Sequence, residues 1–250
     1  MENASKDVLF TIAMNLELPS LLKWCASSAR VNRNVCQNDN VWRNKLLKDF
    51  PNEYPDYQKF GLDRSLRETY VFLYQLSYIK KLLKTDESLY DIFLRKELNL
   101  SGKGLEKVPA FDLPNLELLD LSYNKLTKVP AFNLPNLEGL DLSYNKLTEV
   151  PTFDLPKLEY LDLSDNRLTE VPAFALPHLR ELYLFNNQLT EVPVFNLPNL
   201  DTFSLRNNQL TEVPAFVLPN LQKLFLMGNT LTESTKKEMK RIYGNKLVNI

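Results

Sequence analysis

Residues Leu113–Asn133 read LPNLELLDLSYNKLTKVPAFN, and this 21-residue unit returns with small changes as far as Leu231. In Leu116-x-x-Leu119-x-Leu121 the last two leucines alternate with polar residues, so a short strand turns them to one face. Asn124 falls where the chain must leave that strand. Its amide supplies donors and an acceptor to backbone groups that the bend strips of ladder partners. Leu126 and Val129 return apolar bulk to the interior, and Phe132 and Leu134 complete it from the far side. Prolines five residues apart each remove a donor and fix φ, so that far side is extended or turn-like rather than helical.

The unit recurs in register. Prolines at 109, 130, 151, 172, 193 and 214 step by 21, as do those at 114, 135, 156, 177, 198 and 219, and these account for 12 of the 15. Asn124, Asn145, Asn166, Asn187, Asn208 and Asn229 keep the same step. A fixed period of this size means a solenoid, each coil burying its apolar face against its neighbours. A partial unit, Leu98 to Leu105, precedes the six full ones, with Lys103 in the asparagine position. Seven strands about 4.8 Å apart make a curved parallel sheet roughly 30 Å long.

Composition narrows the function. The 250 residues carry 30 Lys and Arg against 31 Asp and Glu, a net charge of −1. That balance argues against the broad basic surface of a nucleic-acid binder. A single histidine, His178, leaves little for imidazole catalysis or a multi-histidine metal site, and it falls in a variable surface slot. Six glycines, none in a phosphate-loop pattern, leave no nucleotide cradle. No enzymatic activity, metal or cofactor is expected. The N-terminus lacks the pattern of a signal peptide, and no run reaches the roughly 18 apolar residues of a membrane span. Cys25 and Cys36, without a CxxC spacing or a histidine partner, read as two reduced thiols in a helical core. That fits the cytosol or nucleus.

The ends of such a stack need covers. Glu233–Tyr243 reads as a helix with Thr232 or Ser234 as N-cap and Gly244-Asn245 as its stop, and Met239, Ile242 and Tyr243 can cover the last coil. Its Lys236, Lys237, Lys240 and Arg241 read as a solvated outer face, with an anion patch as the other reading. Residues 1–97 have no repeat and read as helices: Trp42, Leu46 and Phe50 recur every four, and Phe72, Leu76, Ile79 and Leu83 keep helical spacing. Asn38 and Asp86 are candidate N-caps, Pro19 suits a first helical turn, and Pro51 and Pro55 break helices near 50–60. The expected divisions are 1–55, a helical domain; 56–97, a helical linker and N-terminal cap; 98–232, the repeats; and 233–250, a capping helix.

Two resemblances follow from these residues. LxxLxLxxNxL is the leucine-rich repeat signature, matched by six units from Leu116 to Leu231 with Phe203 the one change at a signature leucine. The short proline-bearing unit resembles the compact class of these repeats. Residues 8–50 resemble an F-box: Val8-Leu9-x-x-Ile12 and Leu16-x-Leu18 on an opening helix, then Pro19-Ser20-Leu21-Leu22-Lys23-Trp24-Cys25, Arg30-Val31-Asn32-Arg33 and Asn40-Val41-Trp42-Arg43. The family's opening Leu-Pro is replaced by Ser5-Lys6-Asp7. The resemblance implies a three-helix module that docks on the Skp adaptor of a cullin ubiquitin ligase, through Leu9, Ile12, Leu18, Pro19, Leu22, Val31 and Trp42. The layout is similar to F-box and leucine-rich repeat families of large DNA viruses, which implies the host cytosol or nucleus. The expected fold is thus α+β, a leucine-rich repeat solenoid with a parallel concave sheet and an extended convex side, capped by a helical F-box-like domain and a C-terminal helix.

Binding falls to the concave sheet, where the non-leucine strand residues stand. Three units repeat Asp-Leu-Ser at Asp120, Asp141 and Asp162, either a default filler of the family or a column that attracts a basic segment or a cation. The next three place Glu181, Tyr183, Phe185, Arg206, Lys223, Phe225 and Met227 there. Aromatic and arginine side chains on a solvent-facing sheet are interface anchors, unless the C-terminal segment folds over them. The expected function is a protein–protein interaction adaptor, monomeric when free: an F-box-type substrate receptor that recruits a protein to a Skp–cullin–F-box ligase. The alternative is a stand-alone binding or decoy protein whose helical head is only a cap. A catalytic-cysteine ligase is disfavoured, because so few residues lie outside the coil.

Overall fold

Every coil of the repeat buries the same apolar set, and that repetition builds the structure, a computed structural model that describes residues 5–108, 111–244 and 248–249. Pro109 of the first proline series and Asn245 of the expected helix stop lie outside the described residues. The chain divides between Phe93 and Leu94 into two compact units.

The C-terminal unit is the solenoid. Its strands are β1 (Glu97–Asn99), β2 (Leu118–Asp120), β3 (Gly139–Asp141), β4 (Tyr160–Asp162), β5 (Glu181–Tyr183), β6 (Thr202–Ser204) and β7 (Lys223–Phe225). All are parallel and paired in chain order, with Leu119, Leu140, Leu161, Leu182, Phe203 and Leu224 facing one another in register. These six are fully buried. Strands stay three residues long because the chain soon turns through a left-handed residue, Tyr123, Tyr144, Asp165, Asn186 or Asn207, each with φ between 52° and 54°. Gly228 ends that column at φ 78°, and a Cβ there would collide with the Asn207 side chain.

The turn is held by the asparagine that follows. Asn145 Nδ2 donates to the carbonyl of Leu121 in the preceding coil (3.0 Å) and to those of Leu142 and Ser143 in its own. Its Oδ1 accepts from the Leu126 N–H at 3.0 Å. Asn124, Asn166, Asn187, Asn208 and Asn229 each repeat the cross-coil bonds at both ends of the amide. One side chain thereby satisfies donors and acceptors that would otherwise be buried unpaired. A second asparagine series lies on the flank. Asn136, Asn199 and Asn220 donate to the carbonyls of Pro114, Pro177 and Pro198 in the coil before. On the extended side the phenylalanines stack, Phe153–Phe174 at 6.2 Å and Phe174–Phe195 at 6.0 Å between centroids. Phe203 sets its ring edge-on against Phe195 and Phe216, joining the leucine ladder to that spine.

Helix α7 (Glu233–Tyr243) is capped by Thr232, whose Oγ1 accepts from the Thr235 N–H. Met239 is fully buried, and the Tyr243 hydroxyl donates to the Phe216 carbonyl. The basic residues Lys236 and Arg241 pair with Glu233 and Glu238 on the same helix, as a solvated face does. After Gly244 the chain forms a further strand, β8 (Val248–Asn249), beside β7.

The N-terminal unit is helical: α1 (Lys6–Asn15), α2 (Leu18–Ser27), α3 (Ala29–Val31) running into a π-helical turn Asn32–Cys36, α4 (Asp39–Asp49), a 3₁₀ turn Tyr57–Phe60, α5 (Leu66–Leu83) and α6 (Leu89–Phe93). Ser5, Ser28 and Asn38 cap α1, α3 and α4, and Pro19 sits in the first turn of α2. A reciprocal Ser65–Glu68 capping box opens α5. Three expectations are corrected. The opening helix stops at Asn15, so Leu16 is its C-cap and Leu18 begins α2, because Pro19 has no N–H to continue α1. Ser88, not Asp86, caps α6, its Oγ accepting from the Asp91 N–H while the Asp91 carboxylate accepts from the Ser88 N–H. Cys25 and Cys36 are not two reduced thiols but a disulfide, their Cα atoms 6.1 Å apart. The α2–α3 turn folds the chain back and sets both buried sulfurs side by side, which an 11-residue spacing alone does not reveal.

Lys45 is the polar centre of this unit. Nearly fully buried, it donates to the Leu16 carbonyl (2.8 Å), pairs with Asp49 (3.1 Å) and lies over the Tyr70 ring. The Tyr70 hydroxyl donates to the same carboxylate at 2.6 Å; burial, then Asp49, pushes its pKa well above the ordinary tyrosine range.

Candidate protein-binding face

Register fixes the concave columns. Asp120, Asp141, Asp162, Tyr183, Ser204 and Phe225 stand in one row across the sheet, and Leu118, Gly139, Tyr160, Glu181, Thr202 and Lys223 in the next. Gly139 leaves room for Leu118, whose Cδ2 would press on a Cβ at that position. The third row begins with serines and ends with Phe185, Arg206 and Met227.

The late units form a cleft of about 300 Å³ lined by Tyr183, Phe185, Asn186, Ser204, Arg206, Asn207 and Phe225. Four of the residues singled out in the sequence therefore converge: Tyr183, Phe185, Arg206 and Phe225. Tyr183 and Phe185 meet edge to face at 6.3 Å. The Tyr183 hydroxyl donates to Glu181 Oε2 at 2.6 Å, which fixes the ring while leaving it half-buried. Glu181, Lys223 and Met227 stand outside the lining, the last two exposed. Asn186 and Asn207 were not expected there. They enter because the left-handed turn throws these side chains to the rim, where Asn207 donates to Asn186 and Asn186 to Asp165. Their place between Phe185 or Arg206 and the ladder asparagine is the signal the sequence held. The C-terminal segment does not cover the cleft with its described residues: β8 extends the sheet in register beyond β7.

The acidic half is built differently. Oδ1 of Asp120, Asp141 and Asp162 accepts the N–H of Ser122, Ser143 and Ser164 two residues on, each within 2.9 Å. The Tyr160 hydroxyl donates to Asp162 Oδ2 at 3.2 Å. Burial, and then the neighbouring Asp141, push the Asp162 carboxyl above its ordinary range against the lowering effect of Ser164. Among the described residues no Lys or Arg pairs with these three aspartates; the cross-coil ion pairs, Lys96–Glu117, Lys128–Glu149 and Arg180–Asp201, involve other residues. His178 is exposed on a flank that also carries Glu159, Arg180 and Asp201.

In the N-terminal unit, the seven residues expected to dock on Skp differ in burial. Leu9, Leu18, Val31 and Trp42 are buried, and the Trp42 Nε1–H donates to the Cys36 carbonyl. These four side chains pack in the interior of the unit. Ile12, Pro19 and Leu22 reach the surface, as does Val8 at 48% exposure.

Coils with a three-residue parallel strand, an asparagine at the turn and a leucine interior define leucine-rich repeats, and this chain is a leucine-rich repeat protein. The model of that family, leucine-rich repeats in two copies, matches residues 114–155, 135–176, 156–197 and 198–236. The chain is similar to the structure of YopM, a leucine-rich effector protein from Yersinia pestis, with 27% identity and a TM-score of 0.52 over 64% of this chain and 49% of that one. It thus spans about half of the Yersinia protein. The leucine-rich repeat domain of a Shigella effector shares the fold at 22% identity and a TM-score of 0.50, over 81% of this chain and 98% of that one. No curated protein matches the sequence. The leucine-rich repeats themselves support a protein-interaction role, and no catalytic family is indicated. Among the described residues no helix is long and apolar enough to cross a membrane.

Proposed function

We propose that the chain is a two-ended, non-enzymatic adaptor that captures a protein on its concave sheet and carries a second docking module in its N-terminal helices. The observation that carries the first half is the cleft at Tyr183, Phe185, Arg206 and Phe225: aromatic and arginine side chains on an open sheet, where a solvated face needs none.

The second half rests on the F-box resemblance. It is supported by the succession of short helices over residues 6–49 and by apolar Val8, Ile12 and Leu22 at the surface. On this reading the module docks on the Skp adaptor, and the captured protein is delivered to a cullin ubiquitin ligase. The test mixes the purified full chain with purified Skp. Co-elution near one to one in size exclusion is expected, with loss on Ile12→Asp/Leu22→Asp; absence of a complex at tens of micromolar removes the ligase role. The rival, a stand-alone binding or decoy protein, is favoured by two observations: Ser5-Lys6-Asp7 in place of Leu-Pro, and the burial of Leu9, Leu18, Val31 and Trp42. It retains the concave site and predicts no Skp complex.

A further inference from the structure

We infer that the concave face takes an extended segment of a partner protein in which a Lys or Arg lies about three residues from a bulky apolar side chain. This rests on the reading of the concave sheet as the binding surface and specifies what it binds.

The cation seat lies at β4 and β5. The rings of Tyr160 and Tyr183 are 5.7 Å apart and tilted by 52°. Asp162 follows Tyr160 by two residues and accepts a hydrogen bond from its hydroxyl, while Glu181 accepts one from the Tyr183 hydroxyl. Asp141 faces Asp162 across the register. Three carboxylates and two aromatic faces thus meet in a patch where no described Lys or Arg pairs with Asp141 or Asp162. Each aspartate spends Oδ1 on a serine amide; Oδ2 of Asp162 receives only the long Tyr160 bond. A guanidinium or ammonium entering here gains charge-assisted hydrogen bonds and a ring face together. It also relieves the like-charge contact between neighbouring strands. Burial, with a smaller contribution from Asp141, already raises the pKa of the Asp162 carboxyl.

The apolar seat is the adjoining cleft of about 300 Å³, centred on β6 between Tyr183 and Phe225. Tyr183 belongs to both seats. From β4 to β6 is two strand spacings, about 10 Å, and an extended chain covers that in about three residues at roughly 3.3 Å each. The two seats therefore set a spacing in the ligand as well as its chemistry. A cationic segment without an anchor leaves the cleft hydrated, and an apolar segment followed by Asp or Glu meets the aspartate column.

The test selects random dodecapeptides displayed on phage against the immobilised full chain. Expected is a pool with Lys or Arg two to four residues from Phe, Trp, Leu or Met. Against Asp141→Asn/Asp162→Asn, which retains the acceptors for the serine amides, enrichment of the basic position should fall at least tenfold while the apolar preference stays. Against Tyr183→Ala/Phe225→Ala the pool should not bind, with melting temperatures of both variants within a few degrees of the parent. A pool lost on Tyr183→Ala/Phe225→Ala but without the basic position overturns the ligand chemistry and leaves the concave site standing. A pool that binds both variants unchanged overturns the site itself, and absence of any enrichment overturns the extended-segment ligand.

Discussion

Alanine at Asn166 is expected to lower the melting temperature by about 6–12 °C. Asn166 is buried at the centre of the stack, where its Oδ1 accepts from Leu147 N–H and its Nδ2 donates to the carbonyls of Leu142, Leu163 and Ser164. Truncation leaves the Leu147 donor and the Leu142 acceptor in a dry interior, each costing on the order of 1–3 kcal/mol. A total near 3 kcal/mol corresponds to about 2–4 °C per kcal/mol in a chain of this size. Asn166→Asp discriminates the cause. It preserves shape and the acceptor but replaces the donor with a buried charge facing carbonyl oxygens, so it should cost at least as much as alanine. Thermal unfolding followed by circular dichroism measures both. A loss under 2 °C for either variant would mean that the ladder does not bear on coil stability.

Tyr183→Ala/Phe225→Ala is expected to weaken partner binding by about 100- to 1,000-fold. Truncating an aromatic anchor at the centre of an interface costs about 2 kcal/mol or more, and 1.4 kcal/mol is tenfold in affinity. Both rings are half-buried rather than in the core, and the core leucines Leu182 and Leu224 are untouched. The melting temperature should therefore move by only a few degrees. Titration of the identified partner against parent and variant reads the effect directly. Undiminished affinity would place the site elsewhere.

The coil was legible because its physics is periodic. Leucines two apart, an asparagine after them and paired prolines recur every 21 residues, so each local choice is read several times over. The helix Glu233–Tyr243 was legible for a different reason, since Thr232 and Gly244 are strong caps on a polar segment, whereas the strand Val248–Asn249 within the expected capping segment 233–250 was not. Less legible were features that join residues distant in sequence. The Cys25–Cys36 disulfide depends on a hairpin between helices, and Lys45 reads as a surface lysine until Leu16 and Asp49 come to it. The same holds for the docking residues of the helical head. Leu9 and Trp42 match a motif, but whether an apolar side chain faces the core or a partner is decided by packing that spacing does not encode. On the concave face the columns followed from alternation. The Tyr160–Asp162 and Tyr183–Glu181 hydrogen bonds, which set the rings, needed side-chain geometry. Asn136, Asn199 and Asn220 share a slot that Lys157 and His178 interrupt, and their bonds to proline carbonyls one coil back emerge only when the coils stack.

A protein partner is expected to lie on the late concave sheet. A photo-crosslinking benzoylphenylalanine can be placed at position 225, in the cleft, or at 194, where Val194 is 57% exposed on the extended side of the coil. An efficient cross-link to the partner is expected from position 225 and none above background from 194. A cross-link from 194 with none from 225 would contradict it.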